Sequence, residues 1–175
     1  MYRIFACVSV VCLLLWVPPA QGANYAVVIS AGVATADDAP VNSCFWYNSY
    51  LQYMALLDEG YSDDNIYFLY GWGGDFNSSH ACYQSPYPVT DYPVNRANIQ
   101  SVFNTLAGIM TSNDFLYVWW MGHGSPSGDN LVMHIDTTGE TVYDFEIASW
   151  MSPIDYDVRS YSWMTCYSGG ILNDV

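Results

Sequence analysis

Two short stretches hold side chains whose types and spacing allow chemistry. "GHGS" (122–125) sets an imidazole between two glycines, and "TCYSGG" (165–170) sets a thiol before a run of small residues. A thiol attacks a carbonyl carbon as its thiolate, and a neighbouring imidazole generates that form by taking the proton and holding the resulting charge. Cys166 and His123, 43 residues apart, are the candidate nucleophile and base. Glycines around His123 let backbone approach a substrate carbonyl, where the amides of Gly124 and Cys166 would receive a developing oxyanion. Each residue taken alone has a plainer reading, a small buried hydrophobe or a satisfied polar group. Their joint position, at the ends of two expected strands and beside glycine, turns the reading towards catalysis.

Those strand ends follow from the order of elements. "NYAVVISAG" (24–32) is an apolar run closed by glycine, the pattern of a buried strand. From Asn42 to Glu59, Cys44, Tyr47, Leu51, Met54 and Leu57 recur at helical spacing, and Gly60 supplies a stop. "NIYFLYG" (65–71) is the next strand, and residues 72–94 read as a long loop rich in Gly, Ser, Pro, Tyr and Asn. A second helix runs from Asn95 to Met110 with Ile99, Val102, Phe103 and Leu106 on one face. It leads into the strand "DFLYVWWMG" (114–122). "NLVMHID" (130–136) reads as a short hairpin arm. Residues 142–152 read as a third helix, with Val142, Phe145, Ile147 and Trp150 as its apolar positions and Pro153 as its stop. "DVRSYSWMTC" (157–166) is the last strand. This alternation predicts an α/β fold with a mostly parallel sheet between helices, and in such sheets sites form where loops leave the carboxyl ends of strands. A crossover between parallel neighbours would bring His123 and Cys166 side by side.

Composition narrows the setting. Arg3, the apolar run Ile4–Val17 and the small-residue exit at Ala20, Gln21 and Gly22 have the form of a secretory signal peptide over residues 1–22, which predicts a secreted or exported protein. The remaining 153 residues suit one domain, 23–175. No later stretch is apolar enough to anchor the chain in a membrane. Without Arg3, two arginines and no lysine face 17 acids, a formal charge of −15 that disfavours nucleic acid and anionic membranes as partners. An aromatic content of 17% gives the acid-rich surface a further use in solubility.

Removing the leader also leaves three cysteines, with Cys44 and Cys82 a candidate disulfide and Cys166 the remaining thiol. Asn77, Ser78 and Ser79 form a glycosylation sequon. His80 and Cys82 lack a second pair at metal-site spacing, so no metal site is expected. His134 reads as a hairpin residue. Trp72, Trp119, Trp120, Trp150 and Trp163 fall mostly on expected strands and helices, where packing is the ordinary use.

"MGHGS" ending one strand and "TCYSGG" ending a later one resemble the His-Gly and Cys-x-Ser-Gly elements of caspase-like cysteine peptidases, nearest the legumain branch. "GYSDDNIYFLYG" (60–71) and "ANIQSVFNTLAGIMTSNDFLYVWWMGHG" (97–124) are similar to that branch as well. The resemblance spans residues 24–175 and implies a caspase-like α/β/α sandwich. It also implies an endopeptidase in which Cys166 is the nucleophile, His123 the general base and acid, and Gly124 an oxyanion donor. Ser125, next to these, is a candidate substrate contact. The expected partner is a peptide or protein substrate and no cofactor is required. Legumain-type enzymes carry an arginine in the loop after the first strand, whereas "GVATADDAPVNSC" (32–44) has none. Asp37 and Asp38 stand there instead, either as pocket residues attracting a Lys or Arg side chain or as a solvated acidic loop. Because Val175 follows Cys166 by only nine residues, the domain is expected to be incomplete at its C-terminus. Two other readings stay open: a catalytically silent domain that binds peptide or protein, and a transamidase.

Overall fold

The computed structural model describes residues 22–32, 44–75 and 88–173. Its centre is a four-stranded, all-parallel sheet in the order β2-β1-β3-β7, formed by β1 (Asn24–Ser30), β2 (Ile66–Tyr70), β3 (Phe115–Met121) and β7 (Val158–Met164). A second, antiparallel sheet of β4 (Gly124–Ser127), β5 (Asn130–Ile135) and β6 (Glu140–Tyr143) lies within the crossover from β3 to β7. The chain is thus a mixed α/β protein, with helices α1 (Cys44–Asp58), α2 (Arg96–Ile109) and α3 (Asp144–Met151). Of the expected signal peptide over residues 1–22, residues 1–21 lie outside the described residues.

Alternation along β1 assigns the two faces of the main sheet. Ala26 and Val28 join Trp46, Tyr50, Tyr53, Leu56 and Phe68 in the cluster under α1. Val27 and Ile29 join Ile99, Phe103, Leu106, Trp120 and Ile147 under α2 and α3. Strands buried on both sides read as continuous apolar runs, which is why the sequence announced them so clearly. Helix α2 behaves as its spacing predicts: all four marked residues are buried, and the Asn95 side chain caps the helix by accepting from the Asn98 amide.

Helix α1 turns differently from expectation. Trp46, Tyr50, Tyr53 and Leu56 are buried, while Leu51, on the predicted face, is 45% exposed. The helix is apolar on two stripes, and the aromatic one covers more area: Trp46 packs on Phe68 and Tyr70 at ring separations of 5.6 and 4.8 Å. Helix α3 is also shorter than expected. Val142 belongs to β6, and Phe145 is 47% exposed because Asp144, accepting from the amides of Leu131 and Phe145, takes the buried position. The arm at 130–136 becomes the central strand of the second sheet. Of the tryptophans, Trp120 and Trp150 are buried, but Trp72 is 75% exposed and does not pack in the core.

The two sheet edges differ. On β2, the segment after residue 88 covers the edge, with Asp91 accepting from the Phe68 amide at 2.8 Å and Leu69 bridged to Tyr92. Among the described residues, strand β7 pairs on one side only, with β3.

Asp114 ties the start of the sheet together. Its carboxylate accepts from the Ala23 and Thr111 amides, both at 2.7 Å, and from the Thr111 hydroxyl at 3.0 Å. Burial pushes this carboxyl up, but the bonds from Thr111 and Ala23 outweigh it and hold its pKa below the ordinary value. A depressed folded pKa contributes stability that is present above the unfolded pKa and lost as pH falls through the folded value. Asp114→Ala is expected to cost about 1–3 kcal/mol at pH 7, from stranded amides. In urea melts, the gap between variant and native chain should narrow below about pH 3.9, the unfolded aspartate value.

Candidate active site

Register brings the two candidate residues to one place. Ser30 pairs with Met121, and Met121 pairs with Met164. His123 and Cys166 each stand two residues beyond the Met121–Met164 pair, on adjacent parallel strands spaced about 4.8 Å apart. Pairing persists past the last strand residues, since the Ala31 amide donates to the Met121 carbonyl at 2.8 Å and the Gly122 amide to that of Met164 at 3.3 Å.

Glycine is required where the two turns meet. A methyl group on Gly124 would lie 2.3 Å from Thr165 Oγ1 and 2.5 Å from the Cys166 carbonyl oxygen, closer than real contacts allow. The backbone of the His123 turn therefore packs directly on that of the Cys166 turn. Beyond Cys166 the chain bends sharply: Tyr167 has φ +61°, the sole positive φ of any non-glycine among the described residues. A short 3-10 helix, Ser168–Asn173, then carries Ile171 into the core and fixes the turn. Strain of this kind beside the candidate nucleophile is a feature that residue types alone did not signal.

Cys166 is exposed and unbridged, and the His123 side chain is 63% exposed. Among the described residues no hydrogen bond joins them; such contacts in free enzymes commonly tighten only around substrate. Phe45, at the start of α1, meets the His123 ring edge-on at 5.1 Å and is itself lodged against Gly32, where any side chain would clash with the phenyl ring. Asp136, at the end of β5, places Oδ2 3.9 Å from His123 Nε2. Neither Phe45 nor Asp136 was singled out by sequence. Asp136 was legible as the acid closing the alternating stretch 130–136, whereas Phe45 gave no signal.

Ser125 lies on β4, and its hydroxyl shares a 2.7 Å hydrogen bond with His134 Nε2. His134 is thus a hairpin residue, as its position predicts, with a partner that the sequence did not assign. Between α1 and the carboxyl ends of β3 and β7 lies a groove of about 370 Å³, lined by Asn48, Leu51, Gln52, Trp119, Met121 and Met164. It begins two residues short of both His123 and Cys166. Asp37, Asp38, Asn77, His80 and Cys82 lie outside the described residues, as does the side chain of Cys44. The disulfide, the sequon and the acidic-pocket reading therefore have no structural counterpart here. Among the described residues, no three His, Cys, Asp or Glu side chains group to hold a metal ion, and no helix is long and apolar enough to cross a membrane.

No protein-family model matches this chain, and no curated protein matches it.

Proposed function

We propose that the chain is a secreted cysteine endopeptidase of caspase-like fold, working through Cys166 and His123. The observation that carries the reading is the shared position of the two residues, each two places past one register pair, with Gly124 pressed on the Cys166 backbone.

In this mechanism His123 takes the proton from the Cys166 thiol, and the thiolate attacks the carbonyl carbon of a peptide bond. The negative charge that develops on oxygen is received by the amides of Gly124 and Cys166. His123 then returns the proton to the departing amine, leaving a thioester on Cys166. Water, deprotonated by His123, attacks the thioester and releases the acid; an amine in place of water would give transamidation. Every proton in the cycle is held by thiol, imidazole, water or product, so the chemistry calls for no metal or organic cofactor. Ser125, two residues beyond the base, would contact substrate in this reading.

Thiol alkylation tests the pairing directly. Intact mass is followed between pH 5 and 8 on the secreted chain and on its His123→Ala variant. Rapid labelling of Cys166 well below the ordinary thiol range near pH 8.5, lost in the variant, is the expected result. Equal and slow labelling of both chains would replace this reading with a silent domain that binds peptide.

A further inference from the structure

The second sheet has a use beyond covering the crossover. Asp136 directly follows its central strand, and several backbone bonds fix where that residue stands. The His134 amide donates to the His123 carbonyl at 3.0 Å, and the Asp136 amide donates to the Ala31 carbonyl at 3.0 Å. The amides of Thr138 and Gly139 close the following turn on the Ile135 carbonyl, at 3.3 and 2.9 Å. Strand β5 is thereby tied to the carboxyl ends of β3 and β1 at once. Asp136 forms an ion pair with His123, with Oδ2 3.9 Å from Nε2.

We propose that Asp136 is the positioning residue for His123, selecting the ring form that serves Cys166. The proposal rests on the reading of His123 as the base. A carboxylate facing Nε2 favours the neutral imidazole with its proton on Nε2, which leaves the Nδ1 lone pair to take the thiol proton. As the proton passes from Cys166 Sγ to Nδ1, the ring becomes cationic and the carboxylate holds that charge. An amide in its place presents an N–H to the ring and draws the proton to the wrong nitrogen, as asparagine does in the serine-protease triad.

Two measurements on the full chain test this. In the first, ring nitrogen chemical shifts of His123 are recorded at pH 8 for the native chain and for Asp136→Asn and Asp136→Glu. The native chain should carry its proton on Nε2, Asp136→Asn should populate the Nδ1–H form, and Asp136→Glu should restore the native pattern. In the second, Cys166 alkylation should slow roughly two- to fivefold in Asp136→Asn, a modest change because the pair is long and partly exposed. That slowing should vanish in a His123→Ala background, which a merely structural effect would survive. Identical ring shifts in native and Asp136→Asn chains would overturn the proposal. If the ring shifts change as stated while His123→Ala leaves alkylation untouched, the positioning contact stands and the reading of His123 as base fails.

Discussion

Peptide turnover should disappear in Cys166→Ala and fall by about 10²–10⁴ in kcat/KM in His123→Ala. The first loss is complete because the proposed thioester forms on the Cys166 sulfur, which alanine lacks. The second is partial, since a thiol retains some thiolate at neutral pH without a base and the oxyanion amides remain in place. The two variants also separate their causes. In the proposed mechanism the imidazole acts on the reacting atoms, so His123→Ala should lower kcat with little change in KM. Both substitutions fall on exposed side chains, so urea midpoints should stay near that of the native chain. A Cys166→Ala chain that still hydrolysed peptide at the native rate would move the activity to another site altogether.

The largest effect on stability is expected at Trp120. Its side chain is fully buried near the carboxyl end of β3, level with Ile29 on one neighbouring strand and Trp163 on the other, 5.8 Å from the latter's ring. Trp120→Ala should cost about 3–5 kcal/mol through the cavity it leaves. Among the described residues its indole Nε1 has no hydrogen-bond partner, so Trp120→Phe forfeits mainly volume and should cost clearly less. The same nitrogen would lie 3.3 Å from a methyl group on Gly122, and so it walls the turn that carries His123. Collapse of this wall should reduce the His123-dependent part of Cys166 labelling even under conditions where Trp120→Ala stays folded. Denaturant melts of the three chains, followed by labelling of the folded fraction, check both parts. An alanine variant as stable as the phenylalanine one would show that the sheet closes over the gap.

What residue order alone determined is the framework. The apolar runs of β1, β2 and β3 needed no tertiary information, because strands covered on both faces cannot hide their composition, and α2 advertised its buried face. The adjacency of the His123 and Cys166 turns was also legible, since parallel strands joined by one crossover most often lie side by side. Tertiary structure decided the rest. Which stripe of α1 is buried depended on how much aromatic area Phe68 and Tyr70 offered from another strand. The glycine at 124 is demanded by atoms of Thr165 and Cys166, some forty residues away, and the positive φ of Tyr167 by the anchoring of Ile171. Asp136 reaches His123 only because β5 lies antiparallel to β4 and is tied to Ala31, a contact between chain segments that no local pattern encodes. Periodicity reports what a segment buries, and not what it will meet there.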